Sequence, residues 1–209
     1  SALARKYDGD NPLFIYLPEV AFDQDVFLKD LEKAFEKNCN LIVCVSEGIH
    51  DADGTFICEY ASDVGVDTFG HKMLTGSGKY LENLVKEKVG VKVRSIELNV
   101  CQRCSSSMLS AADLTEAIGA GTYGVQAALA GKTDKMITFI RRQDHPYELS
   151  YGTADVNHIC NKEKAVPTEW ITGDGSDISS AFITYARPLI QGDVTVPTKD
   201  GLPVFAYRK

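Results

Sequence analysis

The residues of this chain best suited to chemistry are one carboxylate and two guanidiniums. Glu47 lies in "CVSEGI" (Cys44–Ile49), and Arg94 and Arg103 lie in "KVRSIELNVCQR" (Lys92–Arg103). Each stretch has the pattern of a β-strand with a polar segment at or just beyond its C-terminal end. In open α/β sheets, ligands bind at that edge. A carboxylate accepts hydrogen bonds from hydroxyls, and a guanidinium offers phosphate a rigid fork of donors. Together the three suit a ligand that carries both hydroxyls and a phosphate. The plainer readings are a solvated acid at a strand end for Glu47, an exposed strand face for Arg94 and a loop-capping arginine for Arg103. After "CQRC" a helix is expected from Ser105, where amide groups and the helix dipole would favour a phosphate. The serines at 105–107 are equally consistent with ordinary N-capping.

Cys101-x-x-Cys104, between an expected strand and an expected helix, invites a thiol-redox reading, because a helix N-terminus lowers a thiol pKa. Zinc would need further ligands at matched spacing. No second C-x-x-C exists, and the histidines are scattered at positions 50, 71, 145 and 158. "TGSGKY" (Thr75–Tyr80) and "ITGDGSD" (Ile171–Asp177) look superficially like phosphate loops. Neither has the G-x-x-x-x-G-K-[ST] spacing, and both read more simply as helix entries.

The elements that must position these groups alternate. "PLFIYLPE" (Pro12–Glu19) reads as a strand ended by Pro18. The stretch from Phe22 to Asn38 carries Phe27, Leu28, Leu31, Ala34 and Phe35 near helical spacing, with Asp23 as its cap. "NLIVCVSEG" (Asn40–Gly48) is a continuous apolar run of the kind that is buried on both faces. Strand, helix, strand implies a parallel pair. Further on come a turn at Asp53-Gly54, a Gly-rich stretch "DTFGHKMLTGSG", and a short helix "KYLENLVKEKVG" stopped by Gly90. A strand is expected over Val91–Leu98, a long helix over Ser105–Gly131 whose Ala117, Gly121 and Gly124 allow close packing, and a strand over Asp134–Arg142. After Gln143 the texture changes to aromatics and turn residues, with helix-like stretches around Ala154–Asn161 and before Pro188, then extended pieces around Gly201. The expectation is an α/β fold, with residues 1–142 as a substrate-binding core and residues 143–209 as a helical and extended appendage.

Composition sets outer bounds. The chain has 209 residues, of which 44% are hydrophobic and 24% charged, with a net charge of −7. Those are ordinary values for a globular protein. No run of Lys or Arg points to nucleic acid or an anionic membrane surface, and no apolar run approaches a membrane span. A small anion would need locally placed positive charge, which sets Arg94 and Arg103 apart. The six cysteines read as reduced thiols in a core-rich chain. The start, "SALARKYDGD", has neither an initiator Met nor a signal-peptide core. It reads as the end of a helix cut in the middle, so a fragment is expected.

At "CVSEGI" and over "KVRSIELNVCQRCSSSMLSAADLTEAIGAGTYGVQAALAGKTDKMITFIRR" the chain resembles the phosphofructokinase family, in particular its pyrophosphate-dependent branch. In that family a Glu after a buried strand, an Arg early in a later strand and a Gln-Arg pair at the end of that strand hold fructose 6-phosphate. The matching positions are Glu47, Arg94, Gln102 and Arg103, and the nine-residue spacing from Arg94 to Arg103 fits. "FGHKMLTGSGKYL", "NKEKAVP" and "DGLPVFAY" also look like features of the pyrophosphate-using group. Val100 stands where many ATP-dependent members carry a His. The usual Gly-Gly-Ser-Pro is replaced by Cys104-Ser105-Ser106-Ser107, as suits the pyrophosphate branch.

The resemblance implies a Rossmann-like three-layer core with a mainly parallel sheet. It implies a cytoplasmic, glycolytic phosphotransferase that makes fructose 1,6-bisphosphate with pyrophosphate, less readily ATP, as donor. The family's donor loop, its catalytic Asp in a Thr-Ile-Asp-type motif and its Met-Gly-Arg segment are not in this chain. It is therefore expected to be the C-terminal portion, inactive alone and without catalytic or metal-binding residues, with Mg2+ bound by the N-terminal half. By family analogy Arg94 reaches a neighbouring subunit's site, which implies a homo-oligomer, a dimer or tetramer. The competing readings are a thiol oxidoreductase using Cys101 and Cys104, and a non-catalytic sugar-phosphate binding module.

Overall fold

The structure is a computed structural model that describes residues 1–60, 76–105 and 108–204. The Gly-rich stretch up to Thr75 with His71, Ser106 and Ser107, and the end of "DGLPVFAY" lie outside the described residues. The chain forms two compact units, Ser1–Leu98 with Ala165–Ile183, and Asn99–Lys164 with Thr184–Lys209. The fold is α/β.

The first unit opens with β1 (Phe14–Tyr16), α1 (Gln24–Phe35) and β2 (Val43–Val45). Asp23 caps α1 by accepting from the amides of Asp25 and Val26, both at 2.9 Å. Phe27 and Leu31, one turn apart, are its buried face. β1 and β2 pair in parallel, with Ile15 opposite Cys44, as the strand–helix–strand reading predicts. On its other side β1 meets β6 (Asp177–Ile178), with the Ile15 amide donating to the Ser176 carbonyl at 2.8 Å. β6 itself pairs antiparallel with β5 (Ile171–Thr172).

The core beneath is Phe22, Phe27, Leu31, Ile49, Ile57, Leu81 and Val85. Tyr16 and Phe22 meet edge to face with ring centroids 4.9 Å apart, a favoured aromatic geometry. Leu81 and Val85 belong to α2 (Ser77–Lys88). Gly90 ends that helix region in a left-handed conformation, φ +75°, that a side chain would resist.

Residues 91–98 correct one expectation. They keep the alternating burial of a strand, with Val91 and Val93 packed on the core and Lys92 and Arg94 exposed. No described strand pairs with them, however, and a strand exists only through a ladder partner. Their place is set by side chains instead. The Glu82 carboxylate, 8% exposed, accepts from the Ser95 amide at 2.9 Å and the Ser95 hydroxyl at 2.7 Å. Lys79 and Lys86 also donate to it, at 2.9 and 2.5 Å.

The second unit holds α3 (Asn99–Cys104), α4 (Ala111–Leu129), and the antiparallel hairpin of β3 (Lys135–Asp144) and β4 (Tyr147–Asp155). Residue 142 falls inside β3, and the hairpin lies wholly in this unit. β4 is a strand where only turn-rich texture was read. The alternation of Tyr147, Leu149, Tyr151 and Thr153 after the His145-Pro146 turn is the signal for it. Between Ala154 and Asn161 the only helical turn is a short one, Val156–His158. The helix before Pro188 is α5 (Ser180–Ala186), and β7 (Thr198–Lys199) with β8 (Leu202–Pro203) form the hairpin expected around Gly201.

α4 packs on the hairpin through two glycines, of which Gly124 is among the expected residues and Gly119 is not. Ala117 is exposed and nothing surrounds Gly121. Gly124 faces Ile137, and a side chain on Gly119 would fall against the ring and hydroxyl of Tyr151. That hydroxyl donates to the Glu116 carbonyl at 3.2 Å.

Gly119→Ala is expected to destabilise the second unit by about 1–3 kcal/mol, the usual cost of overpacking. Urea unfolding of the chain measures it, and an unchanged midpoint would rule out the close approach. A second prediction concerns acid. The two ammoniums and the Ser95 donors hold the Glu82 carboxyl well below its ordinary value. A depressed folded-state pKa contributes stability above the unfolded value of about 4.3 and loses it as pH falls below that. The melting temperature should therefore drop between about pH 6 and pH 3, and drop less in Glu82→Gln. Equal drops in both proteins would mean that Glu82 is not the source.

Candidate functional site

Glu47 stands where the parallel pair predicts a ligand edge, just past the C-terminal end of β2. Glu47 and Gly48 are the central residues of a turn closed by the Ile49 amide on the Ser46 carbonyl at 3.4 Å. Ile49, completely buried, anchors the turn from below, and the Glu47 side chain is exposed above it. The Ser77 hydroxyl at the start of α2 donates to the Glu47 carbonyl at 3.2 Å.

Arg94 is exposed between Val93, which packs on the core, and Ser95, which Glu82 holds. It has no hydrogen-bond or ion-pair partner among the described residues. The first unit thus brings Glu47 and Arg94 onto one scaffold: the first turn of α2 grips the Glu47 loop, and its second turn grips the Arg94 segment. Ser77, Glu82 and Ser95 were not singled out as functional residues from sequence. Lys79, Glu82 and Lys86 at helical i, i+3 and i+4 spacing were the available signal, but that pattern ordinarily marks a solvated face.

Gln102 and Arg103 belong to the second unit, and they lie within α3, not at a strand end. The physical reason is Asn99, whose left-handed backbone (φ 43°) turns the chain out of the extended path; Asn tolerates that region better than most residues. The Arg103 side chain is exposed, and that of Gln102 lies outside what the structure describes. Cys101 and Cys104 are both exposed and both inside the same six-residue helix, not ahead of one.

The helix expected from Ser105 begins at Ala111, and its N-terminus is already satisfied by this chain. The Ser110 hydroxyl accepts from the Asp113 amide at 3.1 Å. The Ala111 and Ala112 amides donate to the carbonyls of Gly192 and Gln191 at 2.9 and 3.1 Å. Those donors are not available to a phosphate, so an anion in this region depends on side-chain cations. Among the described residues there is no group of three His, Cys, Asp or Glu side chains that could hold a metal ion. No described helix is long and apolar enough to cross a membrane.

No family model matches the chain. Individual proteins do. The pyrophosphate–fructose 6-phosphate 1-phosphotransferase of Methylococcus capsulatus is 36% identical over 191 residues, 91% of this chain and 45% of its own length. The enzyme of the same name from Rhodospirillum rubrum is 36% identical over 195 residues, 91% of this chain and 48% of its own. The crystal structure of a pyrophosphate-dependent phosphofructokinase from Marinobacter aquaeolei superposes with a TM-score of 0.79 at 30% identity, over 97% of this chain and 46% of that one. The chain therefore spans about half the length of the curated relatives it matches. Neither the thiol-oxidoreductase reading nor the non-catalytic binding module finds support among them. By sequence over nearly its whole length, and by fold, this chain belongs to the phosphofructokinase family.

Proposed function

We propose that this chain is the fructose 6-phosphate-binding portion of a pyrophosphate-dependent phosphofructokinase. The observation that carries the proposal is the 36% identity to such enzymes across 91% of the chain. The reaction is phosphoryl transfer from pyrophosphate to the 1-hydroxyl of fructose 6-phosphate, giving fructose 1,6-bisphosphate. In such transfers the protein supplies positioning and charge neutralisation more than covalent chemistry. Arg94 and Arg103 bind the 6-phosphate by charge-assisted hydrogen bonds, helped by Gln102, and Glu47 accepts from the sugar hydroxyls. ATP is the less favoured donor.

The base that takes the 1-hydroxyl proton and the Mg2+ that neutralises the donor belong to the rest of the enzyme. The enzyme is cytoplasmic and glycolytic, and it works as a homo-oligomer, a dimer or tetramer, in which Arg94 reaches a neighbouring subunit's substrate.

Two measurements test this. The 209-residue chain by itself should not turn over pyrophosphate and fructose 6-phosphate. Measurable production of fructose 1,6-bisphosphate by it would refute the division of labour. In the intact enzyme, Arg103→Ala should cost about 2–3 kcal/mol in kcat/KM for fructose 6-phosphate, the scale of a lost charged hydrogen bond. The KM for pyrophosphate should stay near its original value. A normal KM for the sugar phosphate removes Arg103 from the site.

A further inference from the structure

Glu82 carries more than its helix needs. Its two carboxylate oxygens are divided between two tasks. Oε1 receives the ammoniums of Lys79 and Lys86, and Oε2 receives the amide and hydroxyl of Ser95. The first pair is local to α2. The second pair joins that helix to the extended residues 91–98, which have no strand partner among the described residues. The approach is close: a side chain on Gly78 would come within 3.4 Å of the Ser95 Cβ. A buried carboxylate surrounded by charge is seldom the cheapest source of stability, since well-packed apolar residues do as well or better. What it supplies well is a defined geometry for the groups it touches. Here the residue so defined is the neighbour of Ser95. With Val93 packed on the core and Ser95 held, the backbone of Arg94 is fixed on both sides while its guanidinium faces outward.

We propose that Glu82 is a positioning residue for Arg94, holding the guanidinium ready for the sugar phosphate through the Ser95 backbone and hydroxyl. The inference rests on the reading of Arg94 as a ligand of the 6-phosphate. Lys79 and Lys86 have a part in it. They offset the negative charge of Glu82, so that the carboxylate holding the segment does not repel the anion that Arg94 is to receive. Glu82 touches no substrate. Its effect is on binding of one of the two substrates and not on the chemical step.

The test is steady-state kinetics of the intact enzyme with Glu82→Ala, Glu82→Gln, Arg94→Ala and the Glu82→Ala/Arg94→Ala double variant. Glu82→Ala should raise the KM for fructose 6-phosphate by roughly 5–10-fold, with kcat and the KM for pyrophosphate changed by less than about twofold. A merely structural lesion would move all three. Glu82→Gln keeps an acceptor for Ser95 and should recover most of the loss. In the Arg94→Ala background, Glu82→Ala should add nothing, because a residue that acts through another is silent once the other is gone. A normal sugar-phosphate KM in Glu82→Ala, or additive effects in the double variant, overturns the inference. If Glu82→Ala does not fold, Ser95→Ala replaces it: a smaller rise, again absent in the Arg94→Ala background, supports the proposal, and a normal KM overturns it. Arg94→Ala separates the two levels. If it leaves the sugar-phosphate KM unchanged, the role of Arg94 fails and the role of Glu82 with it. If it raises that KM while the Glu82 variants are silent, only the inference fails.

Discussion

A single nearly buried carboxylate joins α2 to the extended segment 91–98 in the first unit. Glu82 sits on α2 beside Leu81 and Val85, which the helix packs into the core. Their burial fixes the helix, and the neighbouring Glu82 then has a fixed place from which to act. One turn earlier, the Ser77 hydroxyl reaches the Glu47 carbonyl. Two loops that carry candidate ligand groups are thus tied to one rigid rod. A buried carboxylate that accepts from both a backbone amide and its side-chain hydroxyl defines the position of that residue more sharply than apolar contact could, because hydrogen bonds are directional and apolar burial is not.

The distribution of charge bears on the proposed function. The chain as a whole is acidic, at −7, which on average repels phosphorylated sugars. Arg94 and Arg103 stand exposed against that background. The alternative source of positive potential, the N-terminus of α4, is consumed internally by Ser110, Gln191 and Gly192. In the proposed function the anion is met by guanidiniums, whose planar forks match phosphate oxygens in a way a helix end does not.

Much of the first unit was readable in advance. The spacing of Phe27 and Leu31, the Asp23 cap and the apolar run into β2 are local signals, and local signals survive without tertiary context. The parallel pairing followed from them, as did the place of Glu47 at the sheet edge. The segment 91–98 shows where such reading stops. Its alternation of Val91, Lys92, Val93 and Arg94 is that of a strand, and the burial pattern agrees. Strand formation nevertheless needs a partner, and a partner is not written in the segment itself. The start of α4 was misplaced for a related reason. Serines from 105 to 110 are all acceptable caps, and the choice of Ser110 depends on carbonyls some eighty residues away in sequence.

The amino-acid order alone determined the family, the α/β class, and the identity of the candidate ligands Glu47, Arg94, Gln102 and Arg103, because residue type and spacing are properties of the chain. Tertiary structure decided that Glu82 is a clamp and not a solvated charge, that Gly119 joins Gly124 against the hairpin while Gly121 does not, and that Gln102 and Arg103 ride on a short helix. The first two of those outcomes turn on which atoms meet between separate elements, and the third on the left-handed backbone of Asn99. Burial and partners are properties of the folded molecule, and no local pattern encodes them.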